Sequence, residues 1–209
     1  MLELLVDKCG DADVSWGLDV AVEKKSAEMA RVFVKSSSVD TRVQALVKAA
    51  KEKCREVAQV ILAHSDQATY QRALPQIAAC AMTDIAELVL GSCDHITIAN
   101  VFAGAAADGV VVLVERLLSQ MDGYTITRAL TCAAPRGHGE VVEVLMEKCD
   151  VLAVKFALSA AAMEGRVEVV ELLRDQCDQV SVDEAVARAR AAGYFDVVHI
   201  LENKKARRH

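Results

Sequence analysis

Apolar residues recur along this chain in two alternating helical patterns. Around Ala157, small or apolar side chains stand at Val154, Ala157, Leu158, Ala161 and Ala162, a spacing of i, i+3, i+4, i+7, i+8 that places them on one helix face. Beyond Gly165 a second stripe follows, Val167, Val169, Val170, Leu172 and Leu173, with Glu168 and Glu171 between. We term the first pattern helix A and the second helix B. The pair returns at one fixed interval, without insertion or deletion, in rows that open at Gly17, Ala45, Ala73, Val101, Ala129, Ala157 and Ala185.

Single positions of this repeat keep their character down the chain. One reads Leu18, Leu46, Leu74, Phe102, Leu130, Leu158, Val186, and another reads Ala21, Ala49, Ile77, Ala105, Ala133, Ala161, Ala189. A third, in helix B, reads Leu5, Phe33, Ile61, Val89, Leu117, Leu145, Leu173, Leu201. Units of this length cannot bury an apolar face alone, so they stack and share a core. The expected architecture is all-α, an α-solenoid forming one helical-repeat domain over 1–209. Repeats start at 17, 45, 73, 101, 129, 157 and 185, with a half repeat at 1–16. Each should carry a helix A of ~11 residues and a helix B of ~10, with no strand.

Element ends follow the same columns. Asp13, Thr41, Thr69, Thr97, Thr125 and Ser181 read as N-caps of helix A, with Ala153 the one exception. Thr41 with Gln44, and Ser181 with Glu184, extend two of them to capping boxes. Gly109, Gly137, Gly165 and Gly193 close helix A in the left-handed conformation that glycine adopts most easily. Lys25, Lys53 and Ala81 hold that position in the earlier rows, where a left-handed side chain costs ~1 kcal/mol. Residues 17–100 are therefore expected to be the less stable part. Acids at Glu28, Glu56, Asp84, Glu140, Glu168 and Asp196 fall in the first turn of helix B, where the helix dipole favours them. Pro75 lies inside a helix A, and a kink or a restart near Leu74 is expected there.

The segment Ala133-Ala134-Pro135-Arg136-Gly137-His138-Gly139-Glu140-Val141-Val142-Glu143-Val144-Leu145 resembles the helix–turn–helix half of an ankyrin repeat. The likeness is strongest from Val101 onward. Arg128-Ala129-Leu130-Thr131 stands where an ankyrin repeat begins Thr-Pro-Leu-His, and the row is shorter than an ankyrin repeat, so the β-hairpin finger is expected to be largely missing. Short fingerless arrays of this kind are similar to those in large proteins of oomycete pathogens. The resemblance implies a right-handed stack of about seven hairpins, a role in protein binding and no catalysis. It also implies that His138 bonds nearby loop backbone.

Composition narrows the function further. Thirty acidic against 24 basic residues give a net charge of −6, which argues against general binding of DNA or RNA, since that begins with neutralising phosphates. A one-base-per-repeat reader needs a continuous basic or aromatic column, and the column of Arg72 and Arg128 is broken by Asn100, Phe156 and Glu184. The amino end carries no basic stretch followed by a long apolar one, and the apolar run Val101–Ala107 is too short to cross a bilayer, so no membrane partner is expected. Seven cysteines with no Cys-x-x-Cys pair and no zinc spacing suit reduced thiols in the cytoplasm or nucleus.

Candidate chemistry is sparse. Asp66, Asp94, Asp122, Asp150 and Asp178 recur one row apart along one edge, which suits Asx-turns better than a catalytic pair in a shared cleft. Cys93, Cys149 and Cys177 precede three of them and read as small buried groups of the turn. No phosphate-binding glycine loop, nucleophile elbow or zinc-protease motif is present, so neither an enzyme nor a cofactor is expected. The basic tail Lys204-Lys205-Ala206-Arg207-Arg208-His209 suits a nuclear-targeting or phosphate contact, or a cationic end that complements the last helix.

What varies between rows is the side of helix A opposite the core stripe, and packing does not constrain that side. The expected partner surface there comprises Lys51, Arg72, Asn100, Arg128, Thr131, Phe156, Ser159 and Met163. Phe156 and Met163, seven residues apart, would form an apolar centre with Arg128 at its rim, if Phe156 is not simply folded over a neighbouring helix. Helix B's outer positions Glu87, Glu115, Glu143 and Glu171 would make the opposite face acidic and solvated. A scaffold that binds another protein is the leading reading. An effector that holds a host protein, and an enzyme built on a helical-repeat scaffold, are the alternatives.

Overall fold

A computed structural model describes residues 10–79 and 83–203. Among these residues there are fourteen α-helices and no strand. In chain order they are α1 (Asp11–Glu23), α2 (Ala27–Phe33), α3 (Val39–Lys51), α4 (Arg55–Leu62), α5 (Gln67–Ala79), α6 (Thr83–Leu90) and α7 (His95–Ala107). They continue as α8 (Val111–Leu118), α9 (Gly123–Ala133), α10 (Gly139–Met146), α11 (Val151–Met163), α12 (Val167–Arg174), α13 (Gln179–Ala192) and α14 (Phe195–Glu202). Short 3-10 turns at Val34–Ser36 and Ala134–Arg136 extend α2 and α9. Odd-numbered helices are the A helices and even-numbered ones the B helices. Successive helices of each kind begin one row apart, without drift, from Asp11 to Gln179 and from Ala27 to Phe195. No helix among the described residues is long and apolar enough to cross a membrane.

The chain divides into two units, Met1–Val101 and Phe102–His209. In the first, the A helices α1, α3 and α5 pack side by side, and the B helices α2, α4 and α6 form a second row against them. The second unit repeats the plan, with α9, α11 and α13 in one row and α8, α10, α12 and α14 in the other. Both layers meet over the columns read from the sequence. Leu18, Leu46, Leu74, Phe102, Leu130 and Leu158 are fully buried, and so is the whole column from Ala21 to Ala189. In α11 the stripe Val154, Ala157, Leu158, Ala161 and Ala162 is buried. In α12 only Val169, Val170 and Leu173 are, and Val167 is exposed. Phe33 is half-buried, its ring lying over Gly17, where an added Cβ would meet it at 2.5 Å.

Most A helices run for 13 residues, longer than expected. Most B helices run for 8 residues, shorter than expected. One cause is a shift of the cap. The N-caps are Ser38, Asp122, Asp150 and Asp178, three residues before the threonine column, and their side chains accept from the N–H of Thr41, Thr125, Ala153 and Ser181. Asp66 and Asp94 do the same for Thr69 and Thr97, at 2.9 and 2.6 Å. The aspartate column is thus the cap itself, because an acceptor there satisfies an orphan N–H and sits at the positive end of the helix dipole. Thr69 and Ser181 lie inside the helix and donate their hydroxyls back to the cap carboxylates, each at 2.7 Å. This explains Ala153: it lacks the hydroxyl, but its N–H still bonds Asp150 at 2.7 Å. The boxes with Gln44 and Glu184 do not form, and Glu184 pairs with Arg188 instead at 3.0 Å.

We expect Asp150→Ala to lower stability by about 1 kcal/mol, read as a shift in the urea midpoint. Acid should act on the same caps. The hydroxyl of Thr69 at Asp66, the N–H of Thr97 at Asp94 and the ammonium of Lys155 at Asp178 hold these carboxyls below the usual range. Their contribution is full above the unfolded value of about 3.9 and is lost as pH falls through the lowered folded values. Asp66→Asn should therefore flatten part of the loss of stability below about pH 4.

At the other end of the A helices, Gly109, Gly137, Gly165 and Gly193 have positive φ, and so do Lys25 and Lys53. Ala81, the remaining member of that column, lies outside the described residues, as do Leu5, Cys9, Cys80, the side chain of Asp84 and the basic tail from Lys204 onward. Glu28, Glu56, Glu140, Glu168 and Asp196 occupy first turns of B helices as expected. The residue before each B helix often reaches back to the preceding hairpin. His138 Nε2 lies 2.8 Å from the Ala107 carbonyl, and Arg166 Nε donates to the Pro135 carbonyl at 2.8 Å.

Pro75 does not interrupt its helix. α5 runs unbroken from Gln67 to Ala79, with no restart at Leu74. Leu74 and Ile77, on either side of the proline, are fully buried and tie both halves into the core. The last hairpin ends in charge. Arg190 stands where earlier rows have Ala134 and Ala162, and Glu202 where they have Leu118, Met146 and Arg174. The two pair at 2.7 Å, and Arg174 donates to the Asn203 carbonyl at 3.2 Å, while Val197, Val198 and Leu201 remain buried.

Candidate interaction surface

Each A helix buries one side and leaves the other to solvent, and the unburied side differs from row to row. In the first unit it is mostly polar, apart from the exposed Trp16 and Ile96. Lys51, in the last turn of α3, is exposed and lines a groove of about 410 Å³ with Ser15, Asp19, Thr41, Gln44 and Lys48. Lys48 bridges Asp19 at 3.3 Å and Glu23 at 2.9 Å, and the bond it donates to Glu23 foremost holds its ammonium above the ordinary lysine value. Arg72 on α5 is exposed and ion-paired with Asp40 on α3. Asn100 on α7 is half-buried.

In the second unit the same side is apolar at its centre. Phe156 is 60% exposed and Met163 45% exposed, so the aromatic is not folded away under a neighbour. The other expected members behave differently. Arg128, read as a basic rim, is half-buried on α9. Thr131 is half-buried too, and its hydroxyl donates to the carbonyls of Thr127 at 3.1 Å and Arg128 at 2.9 Å within its own helix. Ser159 is buried, only 9% exposed, on a helix that packs against α13. The equivalent residue of α13, Ala187, is exposed.

Three residues of this surface escaped the sequence reading. Leu152 precedes Phe156 by four positions and is 60% exposed, and its counterparts Tyr124 on α9 and Val180 on α13 are each 76% exposed. Their signal was a column of large apolar residues, Ile96, Tyr124, Leu152 and Val180, in consecutive rows. In the first unit Trp16 on α1, also exposed, went unread as well; in the sequence it stands at the head of the column that holds Arg72 and Phe156.

The remaining candidate groups are committed to structure. The aspartate column caps helices. Cys54, Cys93, Cys132, Cys149 and Cys177 are free thiols. Burial pushes those of Cys54, Cys149 and Cys177 up, and that of Cys93 up to about 11, away from the reactive thiolate. Among the described residues no three His, Cys, Asp or Glu side chains come together as a metal site would require. No known family model matches the chain, and comparison with curated proteins finds none similar to it.

Proposed function

We propose that this chain is a non-catalytic helical-repeat scaffold, a right-handed solenoid of ankyrin-like hairpins, that binds another protein through the surface of its A helices. The observation that carries this reading is the contrast within α11. On its inner side Leu158 and Ala161 belong to columns that are apolar and buried in every row, while its outer side keeps Leu152, Phe156 and Met163 in water. Leaving large apolar groups exposed in a cluster forgoes burial that a single scattered residue would not call attention to. The constant interval between elements and the left-handed residue closing successive A helices support the repeat architecture. Reduced thiols would suit the cytoplasm or nucleus.

Affinity purification with mass spectrometry supplies the partner, and two measurements then test the surface. A photo-crosslinking residue at Phe156 should capture the partner, and one at Glu143 on a B helix should not. Phe156→Ala should leave the circular dichroism and melting midpoint unchanged while weakening the partner about 30-fold, or ~2 kcal/mol. Crosslinking only from Glu143 would overturn the assignment.

A further inference from the structure

Basic residues are distributed unevenly in this acidic chain. Between 24 and 56 the sequence holds nine of them against four acids, although the net charge of the whole is −6. Five gather at two neighbouring turns, Lys24 and Lys25 after α1, and Lys51, Lys53 and Arg55 around the end of α3. The turns lie side by side because α1 packs on α3 and α2 on α4. All five side chains are exposed, and none enters an ion pair among the described residues. Elsewhere basic groups are committed: Lys48, Arg72, Arg136, Lys155, Arg188 and Arg190 all sit in ion pairs.

Cations near a helix C-terminus complement its dipole, but the fold does not require these. The same turn reads Ala107-Asp108-Gly109, Met163-Glu164-Gly165 and Ala191-Ala192-Gly193 in later rows, and the A helices there form without a cation in it. Lys25 and Lys53 also stand at φ +50° and +53°, where those rows have glycine. Two adjacent rows thus keep a charged side chain at a position whose backbone penalises any side chain. Strain held where the fold has a cheaper solution points to a use for the side chain. We propose that these turns form a second binding surface, beyond the A-helix surface above, and that it takes an acidic segment of another protein.

Charge and spacing select that occupant. Packed helices stand about 8–10 Å apart, which matches acids three residues apart in an extended segment rising about 3.4 Å per residue. A nucleic acid needs a longer track of cations for its phosphates. Here the next turn along, Ala79-Cys80-Ala81-Met82, carries none, and Glu52 interrupts the basic run between Lys51 and Lys53. A bilayer held by so few cations needs an apolar anchor as well, and no large apolar side chain of 23–28 or 51–56 is exposed. Lys51 also borders the groove of about 410 Å³ beside α1 and α3, where Ser15 and Gln44 offer polar contacts to the rest of a segment.

The test uses the full chain and a fluorescein-labelled 12-residue peptide with glutamate at every third position and glycine or serine between, read by anisotropy. The peptide should bind, and should weaken about tenfold as NaCl rises from about 50 to about 300 mM. Lys25→Gly combined with Lys53→Gly should weaken it about fivefold and yet raise the melting midpoint, since two charges and two strained residues go together. Lys24→Gln combined with Arg55→Gln should weaken it about as much without raising the midpoint. Lys148→Gln, which removes an exposed cation of the second unit, should change neither. Absence of binding in low salt, indifference to the two glycines, or equal weakening by Lys148→Gln would overturn the proposal. Tighter binding of single-stranded oligothymidine or of phosphatidylserine vesicles would make a nucleic acid or a bilayer the occupant and overturn it too. So would a dimer, seen by light scattering, that the two glycines dissociate, because a second copy would then fill the surface. Each of these failures leaves the A-helix surface standing, since crosslinking from Phe156 reads that surface alone.

Discussion

Leu130→Ala is expected to destabilise the chain by about 3 kcal/mol. Leu130 is fully buried in α9, which packs on α10 and α11. Truncation removes its transfer free energy and leaves a cavity, and the cost depends on whether neighbours can close in. Here they cannot do so easily. The flanking core positions Ala129, Ala133 and Ala134 are already alanines and have no longer rotamer to swing into the space. Leu130→Met keeps the volume and should cost under about 1.5 kcal/mol. Urea unfolding of the two variants checks this. A loss below about 1 kcal/mol for Leu130→Ala would mean that the hairpin collapses around the gap and that the columns are less tightly constrained than their burial indicates.

Gly165→Ala should be nearly as damaging, at about 2–3 kcal/mol. Gly165 has φ +69°, so any side chain is strained there. An added Cβ would also lie 2.5 Å from the Tyr194 ring, which reaches back over this turn from the next hairpin. Gly193 separates the two effects: it has φ +85° and open space where its Cβ would be. Gly193→Ala should therefore cost only the backbone strain, about 1 kcal/mol. The strain is already present at Lys53, which holds φ +53°, so Lys53→Gly should gain up to ~1 kcal/mol. Thermal melts of the three variants give the order directly. Equal losses at Gly165 and Gly193 would show that Tyr194 moves aside without cost.

Much of the fold was legible because stacking asks the same thing of every hairpin. A position that faces two neighbouring helices in one row faces them in all rows, so Leu18 through Leu158 and Ala21 through Ala189 repeat in the sequence and are buried in the structure. The left-handed turn was legible for a similar reason, since few residues tolerate that backbone. The cap was misread because two oxygen-bearing columns lie three residues apart, and either could start a helix. Ala153 was the clue, since a cap column should not tolerate alanine, whereas an interior position does.

What the sequence by itself determined, then, is the period, the helical patterns and the inner face, all set by interactions that recur within each hairpin and its immediate neighbours. The tertiary structure decided what the outer face presents. Ser159 and Ala187 share a column, yet one is buried and the other exposed, because exposure depends on how a helix is covered by the next one rather than on its own residues. Pro75 stayed inside a continuous helix for a related reason: Leu74 and Ile77 are held by packing that a local reading of the proline does not contain. With the caps read at Thr125, Ala153 and Ser181, Tyr124, Leu152 and Val180 fell just outside helix A, and only the true caps three residues earlier and the placement of α9, α11 and α13 beside one another made them a helical surface.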